Sequence, residues 1–144
     1  MENYLWLVYA LLSAVAAAMV SVFGKIGLQG LDAHTATAVR AVIMAAFLVA
    51  VAVFQRRWEH LPELWADKRA MTFILLSGVA GALSWLFYFT ALKYGKVSQV
   101  ATVDKLSVVL AATAAVVFLH ETVSVMSAAG IGLITAGIIL VALG

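Results

Sequence analysis

The sequence predicts an all-α membrane protein, a bundle of five transmembrane helices. Three observations carry that reading. Of 144 residues, 65% are hydrophobic and only 11% charged, with a mean hydropathy of +1.09. A soluble domain carries about 45–50% apolar and about 25% charged residues, and a domain of this size still exposes much of its surface to water. The apolar residues are gathered into five runs, roughly 4–23, 34–54, 71–92, 97–119 and 123–143. The joints between the runs are short and hold most of the charges.

Each run is about 20 residues, enough at about 1.5 Å rise per residue to cross a hydrocarbon core of about 30 Å. The runs are rich in Ala, Leu, Val and Ile and lack proline. Helix is the only local structure open to them, because an isolated strand leaves its backbone groups unpaired in lipid. The first run follows Met1-Glu2-Asn3, which has no basic n-region, and is longer than a signal-peptide core, so it reads as a retained helix. Asp32 stands where an N-cap for the second helix belongs. Gln55 to Ala70 is the long loop, and its Trp58, Pro62 and Trp65 suggest a chain lying on the headgroups. Lys93 to Lys96, with Gly95, is a tight turn, and His120-Glu121-Thr122 is tighter still. Joints this short make consecutive helices antiparallel neighbours. Residues 1–144 read as one module with no linker.

The chain has no cysteine, which excludes disulfides and thiolate metal sites. His34 and His120 join no metal-type cluster, and no cofactor is expected. The formal net charge of +2 gives no reason to expect nucleic acid. There is no nucleophile motif or phosphate-binding glycine loop, so the chain does not read as an enzyme. Charge bias between the two sides is weak. With the N-terminus on side A, that side holds Arg56, Arg57, Lys68 and Arg69, and side B holds Lys25, Lys93 and Lys96, with Arg40 and Lys105 inside spans but nearer side B. The positive-inside rule therefore has little to act on. Either a partner or early insertion sets the orientation, or the chain inserts both ways and pairs antiparallel with itself. Inverted repeats of this kind are a common transporter plan.

Several motifs occur in order along the chain. Ser84 to Gly95 (SWLFYFTALKYG) resembles the third span and turn of EamA-type modules of the drug/metabolite transporter superfamily. Ser98 to Ser107 (SQVATVDKLS) resembles the fourth span. Phe118-Leu119-His120-Glu121 is similar to its Phe-Leu-Gly-Glu close, and Gly130 to Gly137 to its last helix. Gly24-Lys25 and Thr37 to Arg40 also fit. The family often has proline where Thr102 stands and glycine where His120 stands. The resemblance covers nearly the whole chain. It implies export or exchange of a small molecule, and it implies that one copy is half of a machine. The first span has no acidic residue, unlike the proton-coupled small multidrug exporters, which resemble this superfamily.

Ionisable groups inside spans give the strongest physical signal. Arg40 lies about six residues into the second span, and Asp104 and Lys105 about seven into the fourth. All three sit about 10 Å below the surface at helical rise. A charge at a helix centre costs about 2.5–3.5 kcal/mol on the insertion scale unless it is paired or wet. An Arg40–Asp104 pair is expected, with Lys105 about 100° round the helix. One reading makes this a polar pocket for an ionic group of a substrate. The other makes it an ion pair that locks two spans. On the third span Ser77, Gly81, Ser84, Trp85 and Tyr88 share one helical face. Ser84, Trp85 and Tyr88 join the substrate-binding candidates, Trp85 and Tyr88 through their ring faces, against a reading of close interhelical packing. Trp6, Trp58, Trp65 and Tyr94 read as interfacial anchors. In the fifth span Ala128, Gly132 and Ala136 form a small-residue ladder suited to a dimer face or a contact inside the bundle. Glu121, ahead of the last helix, reads as a cap or, less simply, a coupling group.

The expectation is a dimer of five-helix modules, an antiparallel homodimer or a pair with a similar module. It would sit in the lipid bilayer of a bacterial inner membrane and move a small molecule by gradient-driven alternating access. The alternatives are a non-transporting membrane subunit and a component of a lipid-linked-sugar flippase.

Overall fold

The computed structural model describes residues 4–144, so the Met1-Glu2-Asn3 start lies outside the described residues. Seven helices follow in order. They are α1 (Leu5–Gly27), α2 (Ala33–Phe54), α3 (Leu61–Ala66), α4 (Lys68–Tyr94), α5 (Val97–Asp104), α6 (Leu106–Leu119) and α7 (Val125–Leu143), with a 3₁₀ turn at Arg57–His60. There is no strand among the described residues. Five helical stretches are long and apolar enough to cross a membrane: α1, α2, α4, the α5–α6 run Val97–Leu119, and α7. Their outward faces carry large apolar side chains such as Phe47, Phe73, Leu110 and Leu133, all well exposed on the isolated chain. Acyl chains are the medium that such surfaces suit.

α1 and α4 are longer than the apolar runs that mark them. α1 takes in Lys25, and α4 begins at Lys68 and ends at Tyr94. Hydropathy sees only the part of a helix that lies in hydrocarbon, whereas backbone hydrogen bonding continues into the headgroup layer. Hydroxyls within the apolar helices have no water to meet. Thr37, Thr90, Thr113 and Thr135 each donate to the carbonyl four residues back, at 2.6–2.8 Å. This is how a polar side chain is tolerated in a lipid-facing helix.

The chain forms two compact units. One, residues 23–93, holds the end of α1, α2, α3 and α4. Asp32 caps α2 as expected. Its Oδ2 accepts from the Thr35 backbone N–H at 2.8 Å and from the Thr35 hydroxyl at 3.0 Å. The long loop is not irregular. Arg56 turns the chain with a left-handed φ of 54°, and the 3₁₀ turn and α3 follow, with Pro62 in the first turn of α3. Pro is tolerated there because its missing N–H has no helical partner to lose. Asp67 then starts α4, its Oδ1 accepting from Arg69 and Ala70 N–H at 3.0 Å each.

The other unit, residues 1–22 and 94–144, holds most of α1 with α5, α6 and α7. Here α7 packs on both α5 and α6. The predicted fourth span is interrupted at Lys105, which ends α5 and begins α6. Around the break the hydrogen bonds tighten to three-residue spacing, Lys105 N–H to Thr102 O at 3.1 Å and Val108 N–H to Lys105 O at 2.9 Å. Thr102, where the family often has proline, donates its hydroxyl to Ser98 O at 2.6 Å, a bond that bends helices. His120 closes α6 with φ 54°. The Ala115 carbonyl takes the N–H groups of both His120 and Glu121. The cap of α7 is Ser124, whose Oγ accepts from Ser127 N–H at 3.1 Å. Glu121 stands upstream and exposed, so the capping role expected of it belongs to Ser124.

A left-handed non-glycine residue costs about 1–2 kcal/mol, part of which glycine returns as unfolded-chain entropy. His120→Gly should therefore raise stability by up to about 1 kcal/mol, read as a higher Tm in detergent. The Thr35 backbone N–H, and then its hydroxyl, hold the Asp32 carboxyl below its ordinary value of 3.8. A lowered carboxylate stabilises the fold above that value, and the contribution is lost as pH falls through the lowered pKa. The stability gap between wild type and Asp32→Asn, measured from pH 6 to pH 3, should be present at pH 6 and narrow at the acid end.

Candidate functional site

The site is built on the inward faces of α2 and α4 in the unit of residues 23–93. On α2, Ala33, Thr37, Arg40 and Met44 fall on one face. The first two are buried and the last two half-buried. On α4, Trp85, Tyr88, Phe89 and Leu92 form the opposing stripe, with Phe89 and Leu92 fully enclosed.

The Arg40 guanidinium rests on aromatic faces. Its central carbon lies 3.6 Å from the centre of the Trp85 ring and 4.2 Å from that of Phe89. Tyr88 meets Phe89 edge to face, with ring centres 5.5 Å apart and planes at 89°. Ring quadrupoles attract a cation, and the effect grows as water is removed. The rings do not supply conventional hydrogen-bond acceptors, however. Nη1 of Arg40 is sealed from solvent and has no hydrogen-bond partner among the described residues. Nη2 donates only to the Met44 thioether, at 3.9 Å, a weak acceptor. A guanidinium carries five N–H donors. This one is electrostatically seated and under-bonded.

Phe89 is held from behind by α1. A Cβ at Gly24 would run into the Phe89 ring. Glycine at this position is what lets the ring edge approach α1. One residue on, Lys25 donates from Nζ to the backbone carbonyl of Leu92, tying the end of α1 to the end of α4. At this end an open cavity of about 460 Å³ is lined by Lys25, Gln29, Asp32, Leu92 and Lys93 among others.

Of the residues expected to bind substrate, Arg40, Trp85 and Tyr88 come together here. Ser84 lies one turn from Tyr88 on α4 and is exposed, as are Ser77 and Gly81. Asp104 and Lys105 belong to the other unit, at the α5–α6 break, and pair with each other at 3.5 Å. Arg40 and Asp104 thus have other partners within their own units, one aromatic and one cationic. Ala128, Gly132 and Ala136 are exposed on α7. Phe89 is the residue that sequence reasoning passed over. It stands four residues after Trp85 on the same helical face, so periodicity alone could have found it.

A charged residue seated on aromatic faces inside a helix long and apolar enough to cross a membrane fits recognition of a small solute. The EamA-like transporter family matches residues 4–143. The chain belongs to that family. An uncharacterized transporter encoded in the cobO 3′ region of a Sinorhizobium species is 39% identical over 137 residues, covering 95% of this chain and 96% of the relative. No solved structure matches this EamA-like transporter. The order of motifs from Gly24 to Gly137 therefore reflects membership. The chain is an integral membrane protein and a membrane transporter by family.

The Gly24–Phe89 contact is open to direct test. Phe89 is 3% exposed and pinned between Arg40 and Tyr88, so it has little room to retreat. Gly24→Ala should lower stability by about 1–3 kcal/mol, the usual cost of overpacking, and should shift Trp85 emission as the aromatic seat moves. Thermal unfolding in detergent and tryptophan fluorescence check the two effects.

Proposed function

We propose that this chain is one half of a small-metabolite transporter that works by alternating access. Two five-helix modules, an antiparallel homodimer or this chain with a similar module, would enclose the substrate path. The observation that carries the proposal is Arg40, a cation inside a membrane-crossing helix, seated on Trp85 and Phe89, with donors left for a solute to engage. A cation kept only for packing would be expected to have its donors filled, since unfilled buried donors are costly. Family membership supplies the setting, and an ion or solute gradient is the proposed driving force. Ser84, Tyr88, Asp104 and Lys105 are proposed to complete the lining, with Glu121 a candidate for ion coupling. The exposed Ala128–Gly132–Ala136 face of α7 is the proposed contact between modules, where small side chains let backbones approach. The bacterial inner membrane is the proposed location, since outer-membrane proteins of this kind are barrels rather than helical bundles.

Purified protein reconstituted in liposomes should give saturable counterflow across a panel of amino acids, amines and organic acids, and Arg40→Gln should abolish it. No counterflow of any compound would favour a non-transporting membrane subunit instead. Gly132→Leu should dissociate the dimer in detergent, read by light scattering. An unchanged assembly would remove the α7 face from the proposal.

A further inference from the structure

The cavity at the α1–α2 turn and the aromatic seat of Arg40 lie along the same pair of helix faces. Asp32 and Arg40 are eight residues apart on α2, about 12 Å at helical rise. On α4, Leu92 lines the cavity and Phe89, one turn below, holds the guanidinium. The cavity has two lysines, Lys25 and Lys93, against one carboxylate. That carboxylate, Asp32, is already engaged by Thr35. Arg40 is the next charge inward on this face of α2, and it is positive. The charge along this pair of faces is therefore net positive, and a field of one sign concentrates solutes of the other.

We propose that Arg40 is the binding group for the carboxylate of a small organic monoanion, which lifts the guanidinium from the rings of Trp85 and Phe89. Three features point to this class. The guanidinium has no oxygen acceptor among the described residues, and a planar carboxylate offers two at the spacing of its fork. The rings that now cover the cation leave it without strong hydrogen bonds, so the exchange is favourable to the donors. One guanidinium balances one negative charge. A dianion would leave an unbalanced charge within the hydrocarbon layer, where it is expensive. Dicarboxylates are thereby disfavoured, inorganic phosphate has no apolar body to set against the rings, and neutral esters lack the charge that draws the cation off its seat. Trp85, Tyr88 and Phe89 provide flat apolar surface for the remainder of the ligand, so an aryl or short alkyl acid fits better than a sugar acid.

The inference rests on the transporter reading for its biological setting, but binding is measurable without transport. A variant with Trp6, Trp58 and Trp65 changed to Phe leaves Trp85 as the only tryptophan. In detergent its emission should change saturably with benzoate or pyruvate. It should not change with methyl benzoate, and succinate and inorganic phosphate should bind about tenfold more weakly or not at all. Arg40→Lys in the same background keeps the charge but loses the planar fork, and should weaken benzoate binding about tenfold or more. Its unfolding midpoint in the absence of ligand shows whether the fold is intact. If the Lys variant fails to fold, Arg40→Gln takes its place, with benzoate binding followed by equilibrium dialysis, and loss of that binding in the folded protein supports the assignment, whereas retained binding overturns it. Equal response to ester and acid, preference for phosphate, or full affinity in a folded Arg40→Lys protein would overturn it. Counterflow of amines without carboxylate binding leaves the transporter reading standing and removes this one. Carboxylate binding without counterflow of any compound does the reverse.

Discussion

Hydrocarbon supplies no hydrogen bonds, and that constraint organises everything else in this protein. Each backbone group in the five spans must find its partner within the chain, which leaves helix as the structure. The same requirement reaches the side chains. Threonine hydroxyls from Thr37 to Thr135 turn back onto their own helices. Lys25 reaches the Leu92 carbonyl at the end of α4. Asp32, Asp67 and Ser124 satisfy the exposed amides where α2, α4 and α7 begin.

Against that background Arg40 is the exception, and the exception has a built surround. Gly24 gives Phe89 room to lie against α1, Tyr88 steadies Phe89 edge-on, and Trp85 closes the other side of the guanidinium. The arrangement lowers the electrostatic cost of the charge without spending its hydrogen-bonding capacity. A carboxylate partner would have achieved the first at the expense of the second. The distinction matters for function, because a cation already paired to protein offers a solute little, whereas one held by ring faces keeps its donors.

The helix ends and breaks show where local preference yields to the chain's path. The α5–α6 run changes to tighter hydrogen bonding at Lys105, next to Asp104, at a depth where an unbroken helix would be the default. Thr102, three residues before that break, donates its hydroxyl to Ser98 O. His120 adopts the left-handed turn conformation suited to the family's glycine.

Composition and periodicity determined the solvent, the number of crossings and most of the turns. Five apolar runs of spanning length can be read directly, and so can the Asp32 cap. Arg40, Trp85 and Tyr88 stand out because a charge or a ring pair deep in a span is unusual wherever the rest of the chain lies. What the sequence left open is which partner each charge takes. Arg40 and Asp104 at similar depth invite an ion pair, but depth along a helix says nothing about azimuth or about which helices meet. Tertiary structure put Arg40 against α4 and its rings and made Gly24 and Phe89 part of the candidate site. Those outcomes depend on packing between residues distant in the chain, and one-dimensional periodicity carries no information about such neighbours.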